Sequence, residues 1–332
     1  MTPALSIVVP VHNEAPHLGA TIEALVRAVE RSGDEAELVL VDDGSTDGSA
    51  EAARAAVAGR LPLNVVSQPN LGRFQAVRAG LGRAAAEDVL VLGSRVRLRP
   101  DSLAFVRERQ RAGDLVWVGH VQIDTAGNPY GRFQNVLTEI AWREYFDRPR
   151  TTSFGAEDFD HYPKGSGCLA GPRDLIRDAF ADLPSRYADP RHANDDTPML
   201  RRIVASERIH VSPSFAADYV PRGTFRTFVS HSLHRGAVFF DGHGRRESRF
   251  FPFVLAFFPV SAAVVVGSVA RPRLVPLGIL GLSVGAGVVA AGARRQKGDV
   301  AVVALLTPLW AGAFGAGLWR GLAMAARKRL GK

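Results

Sequence analysis

The chain has 332 residues, 46% of them hydrophobic and 22% charged, with a formal net charge of +8. That length implies about two domains, and the apolar content excludes a largely disordered chain. A single cysteine, Cys168, excludes a disulfide scaffold and points to a reducing compartment.

The charge is unevenly placed. Residues 271–332 hold ten Lys/Arg against one acid, Asp299. That net +9, set against +8 for the whole chain, leaves the first 270 residues at −1. A nucleic-acid footprint would spread cations over a folded face, so no nucleic-acid partner is expected. The tail cations read as flanks of membrane segments.

In chain order, residues 6–11 are an apolar, β-branched run that reads as a strand. A helix follows from Pro16, with Leu18, Ile22, Leu25, Val26 and Val29 on one face. A second strand is expected at 37–41, ending at Asp42-Asp43-Gly44-Ser45, then an alanine-rich helix at 50–58. A strand at 63–67, a helix at 73–86, a strand at 88–92 and a helix at 100–111 complete this part. Strands alternating with helices imply right-handed crossovers and a Rossmann-like α/β domain with a mostly parallel sheet. Ligands of such sheets bind beyond the carboxyl ends of the strands.

Three strand ends carry unusual chemistry: Pro10-Val11-His12-Asn13-Glu14, Asp42-Asp43-Gly44-Ser45-Thr46-Asp47 and Gly93-Ser94-Arg95. Adjacent carboxylates repel unless donors satisfy them, and a base or ribose offers such donors. The Asp-Gly-Ser-Thr-Asp string is also a good turn and helix cap.

These residues resemble a family 2 glycosyltransferase. The resemblance rests on Ser-Ile-Val-Val-Pro-Val-His-Asn-Glu (6–14), Val-Leu-Val-Asp-Asp-Gly-Ser-Thr-Asp-Gly-Ser (39–49), Asn-Leu-Gly-Arg (70–73) and Ala79-Gly80-Leu81, and it runs in order over residues 4–240. It implies the GT-A fold and a nucleotide-sugar donor. It implies that Pro10, Asn13 and Glu14 line the nucleotide pocket, that Asp42 or Asp43 meets the base and ribose, and that Gly72 and Arg73 lie near the diphosphate. The segment Lys164-Gly165-Ser166-Gly167-Cys168 is similar to the family's small-residue stretch under the donor sugar, which places Gly165, Ser166 and Gly167 at the sugar and acceptor pocket. Asn194-Asp195-Asp196-Thr197-Pro198 is similar to its acidic segment, in which register makes Asp196 the base beside Asp195. The alternative for this segment is helix capping ahead of Pro198.

The pattern breaks at the fourth strand. The family ends it with Asp-x-Asp, which binds a divalent metal, whereas here Gly93-Ser94-Arg95 stands. Hard cations such as Mg²⁺ or Mn²⁺ want carboxylate oxygens, so the motif supports no metal. Three consequences stay open. Arg95, with Ser94 beside it, neutralises the diphosphate directly; another acid, Asp124 or Asp158, holds a metal; or the site is catalytically degenerate. The first is preferred, although strand alternation could instead put Arg95, Arg97 and Arg99 together on a solvent face. The Gln-x-x-Arg-Trp motif of processive synthases is also missing from residues 229–236, so transfer of a single sugar is expected.

Three uncharged windows, 251–270, 274–293 and 300–319, are each long enough to cross a bilayer. The expected organisation is a GT-A domain at 1–222, an amphipathic interfacial helix and linker at 223–249, and a membrane region at 250–332 with two to four segments and a basic tail. Three crossings from a cytoplasmic start would leave that tail outside, against the positive-inside tendency. No signal peptide is legible, because the first apolar run is short and lacks a basic flank. The expected location is the cell membrane, multi-pass, with the catalytic domain cytoplasmic and in contact with membrane lipids. The expected function is inverting transfer of one sugar from a nucleotide sugar, UDP favoured, to a lipid-linked or membrane-proximal acceptor. The alternative is a degenerate GT-A module that binds nucleotide sugar or scaffolds an assembly.

Overall fold

A computed structural model describes residues 2–182, 185–194 and 196–331. Its strands are β1 (Leu5–Val11), β2 (Ala36–Asp43), β3 (Leu63–Gln68), β4 (Asp88–Leu92), β5 (Val96–Leu98), β6 (Val116–Ile123), β7 (Thr152–Phe154), β8 (Cys168–Pro172) and β9 (Ile209–Tyr219). The helices of the first two hundred residues are α1 (Ala15–Ser32), α2 (Ser49–Val57), α3 (Arg73–Leu81), α4 (Ser102–Arg111), α5 (Pro129–Ala141), α6 (Arg143–Phe146), α7 (Arg173–Ala179) and α8 (Thr197–Ile203). The rest are α9 (Phe225–His243), α10 (Phe251–Ala270), α11 (Val275–Gly292) and α12 (Lys297–Arg329).

Two compact units divide the chain. The first comprises Met1–Gln122, Glu144–Pro184 and Asp195–Val220; the second comprises Ile123–Arg143, Ser185–Asn194 and Pro221–Lys332.

The first unit is a mixed α/β domain built on one sheet, in the order β3-β2-β1-β4-β8-β6-β9-β5, with β7 on β9. Strands β3, β2, β1 and β4 are parallel, as the alternating pattern predicts. Every residue of β1 is buried, which fits a strand covered on both faces. Helix α1 turns Leu18, Ile22, Leu25, Val26 and Val29 inward and ends at Gly33, whose φ of 70° suits glycine. Each fully buried Leu or Ile contributes about 1.5–3 kcal/mol of transfer free energy. Helix α3 lies so close to the sheet that a Cβ on Gly80 would come within 2.3 Å of Val8 Cγ1. It stops at Leu81, short of the expected 86, where the Ala84 amide turns back to the Gly80 carbonyl.

Beyond β4 the sheet changes direction. Strand β8 runs antiparallel to β4, pairing Leu92 with Cys168, and β6, β5 and β7 also pair antiparallel with their neighbours. This places the segment before β8 against the carboxyl end of β4. The Gly93 amide donates to the Gly167 carbonyl at 2.8 Å.

In the second unit α9 begins with a reciprocal Thr224/Thr227 capping box. It runs parallel to α12: Phe228 packs with Val303 and Phe240 with Leu318. The two backbones touch at glycines. A Cβ on Gly236 would lie 2.1 Å from the Phe314 carbonyl oxygen, and one on Gly317 would lie 2.1 Å from that of Leu233. Helix α12 is tied to α5 at its start, where Arg132 pairs with Asp299 at 2.6 Å; just ahead of it Arg295 pairs with Glu139 at 2.6 Å. Helices α10 and α11 bury almost nothing: Val254 in one, Gly287 and Ala290 in the other. Three helices, Phe251–Ala270, Pro272–Gly292 and Lys297–Arg329, are long and apolar enough to cross a membrane.

His234 on α9 stacks obliquely against His192, with ring centroids 5.6 Å apart. Burial first, then His192, Arg320, Arg235 and Arg222, pushes its imidazole down to about 4. An unfolded histidine titrates near 6.5. Between those values the unfolded chain binds a proton that the folded chain refuses, so stability falls as pH drops. From pH 7 to 5 the expected loss from this group is about 2 kcal/mol. Thermal unfolding in detergent at the two pH values checks it: His234→Gln should lose less stability on acidification than the parent chain.

Candidate active site

The carboxyl ends of β1, β2 and β4 are side by side, and the sequence-predicted residues fall there in two groups with different partners. Asp43 at the end of β2 is 3% exposed. Its carboxylate accepts from Gln68 Nε2 at 2.7 Å, from the Leu71 amide at 2.9 Å and from the Gly72 amide at 2.8 Å. Its side chain therefore organises the 68–72 loop. Asp42 is half-buried and accepts from the Ser45 amide at 2.8 Å. Asn13 adopts a left-handed φ of 53°; its amide donates to Ser45 Oγ and its Oδ1 accepts from the Thr46 amide. Pro10, buried in β1, holds register with Val41.

His12, named in the first strand-end string but given no role there, is a member of this group. Its Nδ1 lies 2.9 Å from the Asp43 carbonyl oxygen, and a carbonyl only accepts, so Nδ1 carries the proton. Nε2 is then the acceptor for Asn70 Nδ2 at 3.0 Å. A histidine directly after a strand, one residue before Asn13, was the available signal.

Arg95 does not point to solvent. It donates to Glu14 Oε2 at 2.7 Å, with the two side chains 13% and 6% exposed. Ser94 is fixed through its carbonyl, which accepts from Thr21 Oγ1 at 2.9 Å. Arg99 parts company with Arg95, since it pairs with Asp218 at 2.8 Å.

The second group joins distant segments. Gly72, with φ 89°, precedes α3, and Arg73 opens that helix. Arg73 donates through Nη1 to Ser166 Oγ at 2.7 Å and through Nη2 to the Ser166 carbonyl at 2.9 Å. The Ser166 amide donates to Asp196 Oδ1 at 2.8 Å, and its hydroxyl donates to the same oxygen. Arg73 Nη1 lies 3.9 Å from Asp196 Oδ1. Asp196 stands at the N-cap of α8 but makes no capping hydrogen bond with its side chain, so the carboxylate, 49% exposed, faces Ser166 and solvent. Gly165 and Gly167 flank Ser166; Asp195 lies outside the described residues. Burial pushes the Cys168 thiol up to about 12, which makes it a small hydrophobe rather than a nucleophile.

The donor set suits a divalent metal poorly. Glu14 is the carboxylate nearest the β4 end by hydrogen bonding, and it is already neutralised by Arg95. The other two acids considered are engaged locally: Asp158 accepts from the Gly155 amide and Asp124, in the second unit, from the Ala126 amide. Among the described residues no group of three or more His, Cys, Asp or Glu side chains is placed to hold a metal.

The glycosyl transferase family 2 profile matches residues 6–178, just over half of the chain. The chain belongs to that family. It is similar to the undecaprenyl-phosphate 4-deoxy-4-formamido-L-arabinose transferases of Aeromonas hydrophila and Pseudomonas aeruginosa. The first is 32% identical over 111 residues, 33% of this chain and 34% of the relative; the second is 30% identical over 139 residues, 41% of each. The matched stretch thus spans well under half of those relatives. Among solved structures it resembles the mannosyltransferase PcManGT from Pyrobaculum calidifontis in complex with GDP-Man and Mn²⁺, with a TM-score of 0.56 and 19% identity over 97% of this chain and 88% of that one. It also resembles S. aureus TarS 1-349 in complex with UDP-GlcNAc, with a TM-score of 0.52 and 16% identity over 99% and 92%. These likenesses establish the GT-A fold of the family 2 domain.

The three hydrogen bonds to Asp43 give a direct test. Asp43→Ala would leave two backbone amides and a side-chain amide without their acceptor in a mostly buried place. The expected cost is about 3 kcal/mol or more, read as a lowered melting temperature, with hydrogen exchange accelerated specifically at Leu71 and Gly72.

Proposed function

We propose that the chain is an inverting glycosyltransferase that moves one sugar from a nucleotide-sugar donor to a lipid-linked phosphate acceptor in the membrane. The observation that carries this reading is the Asp196 carboxylate. It sits at a helix start without capping it, and Ser166 and Arg73 hold it in place.

In this reading the nucleoside end of the donor lies against Asn13 and Asp42, on a floor that Asp43 and His12 brace. Arg73 and Arg95 face the diphosphate. An acceptor oxygen attacks the anomeric carbon from the side opposite the diphosphate; the new C–O bond forms as the bond to the diphosphate oxygen breaks. Asp196 takes the acceptor proton where the acceptor carries one. Guanidinium groups stabilise charge on the departing diphosphate, the role for which a cation serves elsewhere. No step is routed through a metal, because the side chains at the β4 end do not compose a site for one. UDP is the first nucleotide to test. The lipid phosphate acceptor is supported by the names of the relatives and by the apolar helices. A non-catalytic nucleotide-sugar-binding module is the second reading, favoured by one observation: Glu14 already occupies part of the Arg95 guanidinium.

The same proposal includes a topology of two crossings, α10 and α11. Helix α9 carries Arg226, His231, His234, Arg235, Asp241 and His243 along its length, too much charge for a span. Because α12 runs parallel to α9 with glycine backbones in contact, it shares the depth of α9. Both then lie along the bilayer surface, and α12, about 50 Å long, does not cross it. Arg294, Arg295, Lys297 and the basic C-terminus fall on one side, and Arg271 and Arg273 on the other. That arrangement satisfies the positive-inside tendency with the catalytic unit cytoplasmic.

The test is transfer and hydrolysis against a panel of UDP- and GDP-sugars, with detergent-purified protein and polyprenyl phosphate, in the presence and absence of EDTA. Activity should persist in EDTA. Asp196→Asn, which still accepts from Ser166, should lower kcat by about 10²–10⁴-fold while donor binding holds. Arg95→Lys keeps a charge beside Glu14 but loses the planar fork, so it should weaken turnover without unfolding the chain. Donor binding with no turnover for any sugar would favour the module instead.

A further inference from the structure

The second unit contains a basic cavity that the transfer reaction does not use. It has a volume of about 420 Å³ and is lined by Ser185, Arg186, Arg245, Ala325, Lys328 and Arg329. Four cations and no carboxylate line it. The cavity draws on three stretches of chain: the segment before Tyr187, the turn after α9, and the last turn of α12.

The surroundings fix the cations in place. Arg186 donates through Nη2 to the Gly244 carbonyl at 2.6 Å, and its backbone amide donates to Asp241 Oδ1 at 2.6 Å. Its Nε is buried without a hydrogen-bond partner among the described residues. Lys328 donates to the carbonyls of Ser185 and Tyr187 at 3.0 and 3.1 Å. An ammonium has three N–H donors, so one is left for a ligand. Cations at a helix C-terminus complement its dipole, but that dipole amounts to about half a charge, against four cations here. Burial, followed by the like charges of Arg245 and Arg329, makes Arg186 hold its proton less firmly than a free guanidinium. Asp241 is the opposing charge on Arg186, and among the described residues that line the cavity the cations stand without a carboxylate beside them in its wall.

We propose that this cavity binds the phosphate of an anionic membrane lipid. The ligand class follows from the donors: guanidinium forks and an ammonium around a space of pocket size match a phosphate ester. The lipid source follows from what surrounds the cavity. Ala325 gives it an apolar wall, and Leu330, at the C-cap of α12, is 73% exposed. Basic pockets at the headgroup level of cytoplasmic leaflets bind such lipids. The seat would lock the end of α12 to the bilayer surface. This inference rests on the surface placement of α12 proposed above.

The experiment uses the full chain in a neutral detergent, titrated with short-chain phosphatidylglycerol and followed by the fluorescence of a dye on the protein. Phosphatidylglycerol should bind and short-chain phosphatidylcholine should not. Arg329→Gln should weaken binding about fivefold and Arg245→Gln/Arg329→Gln about twenty-five-fold, with melting temperatures unchanged. Arg271→Gln/Arg273→Gln, at the opposite end of the helical hairpin, should leave it intact. Should the double variant fold poorly, Arg329→Gln decides alone, because Arg329 is exposed on the last turn. Equal binding of phosphatidylcholine, an equal loss in the Arg271/Arg273 variant, or displacement by inorganic phosphate at equal concentration would overturn the lipid assignment. Labelling of Gly331→Cys in sealed vesicles with an impermeant maleimide reads the topology separately. Labelling on the side of the N-terminal unit together with no lipid binding refutes the cavity reading alone; labelling on the opposite side refutes the placement of α12.

Discussion

The Asp43 carboxylate, buried at the carboxyl end of β2, takes hydrogen bonds from Gln68 and from the amides of Leu71 and Gly72. Those amides immediately precede α3, so the carboxylate fixes where the helix begins and where Arg73 emerges. Arg73 then reaches Ser166, and Ser166 holds Asp196. One buried acid thereby sets the position of a chain of polar contacts spanning more than half the unit's sequence. Its burial is tolerable only because its donors are supplied in full. That requirement couples local loop geometry to Asp196: shifting the 68–72 loop would move Arg73, and with it the charge beside that carboxylate.

The parallel half of the sheet was legible because its elements are local. Residues 5–11, 36–43 and 88–92 are apolar runs bounded by polar turns, and the helices between them carry one apolar face each. The antiparallel half was harder to read. Strand β8 is five residues long and rich in small side chains, and its partner β4 lies some eighty residues earlier. The site split the same way. Residue types at Asn13, Glu14, Asp42, Asp43, Arg73 and Asp196 could be picked from strand-end spacing and family resemblance. Which of Asp42 and Asp43 turns inward could not, since that depends on whether the loop at 68–72 presents its amides. The pairing of Arg95 with Glu14 links two strand ends 81 residues apart, a contact that no local pattern encodes. The second unit's two inserts, Ile123–Arg143 and Ser185–Asn194, are likewise invisible in composition, because each is an ordinary mixture of polar and apolar residues.

Gly93-Ser94-Arg95 puts a guanidinium at the end of β4, and the Glu14 carboxylate balances its charge. In the proposed reading that guanidinium is the group that would meet the donor diphosphate. A buried pair of this kind is costly to break from one side, at about 3–5 kcal/mol, so the guanidinium is well ordered. Glycine at 93 belongs to the same solution. A Cβ there would meet Val96 Cγ2 at 3.1 Å, and the Gly93–Gly167 hydrogen bond keeps the Ser166 segment alongside β4.

The second unit follows from a similar constraint on backbone approach. Helices in an apolar medium gain little from burying more apolar surface, so they associate through close packing at small residues. Gly236 and Gly317 bring α9 and α12 within carbonyl contact, and that contact carries the polar character of α9 over to an otherwise apolar neighbour. Hydropathy alone treats α12 as a span, because it scores each helix in isolation. The depth of a helix is a property of the helix and its partner together. In the proposed two-crossing topology, a partner with two arginines, three histidines and an aspartate along its length would hold the pair at the surface.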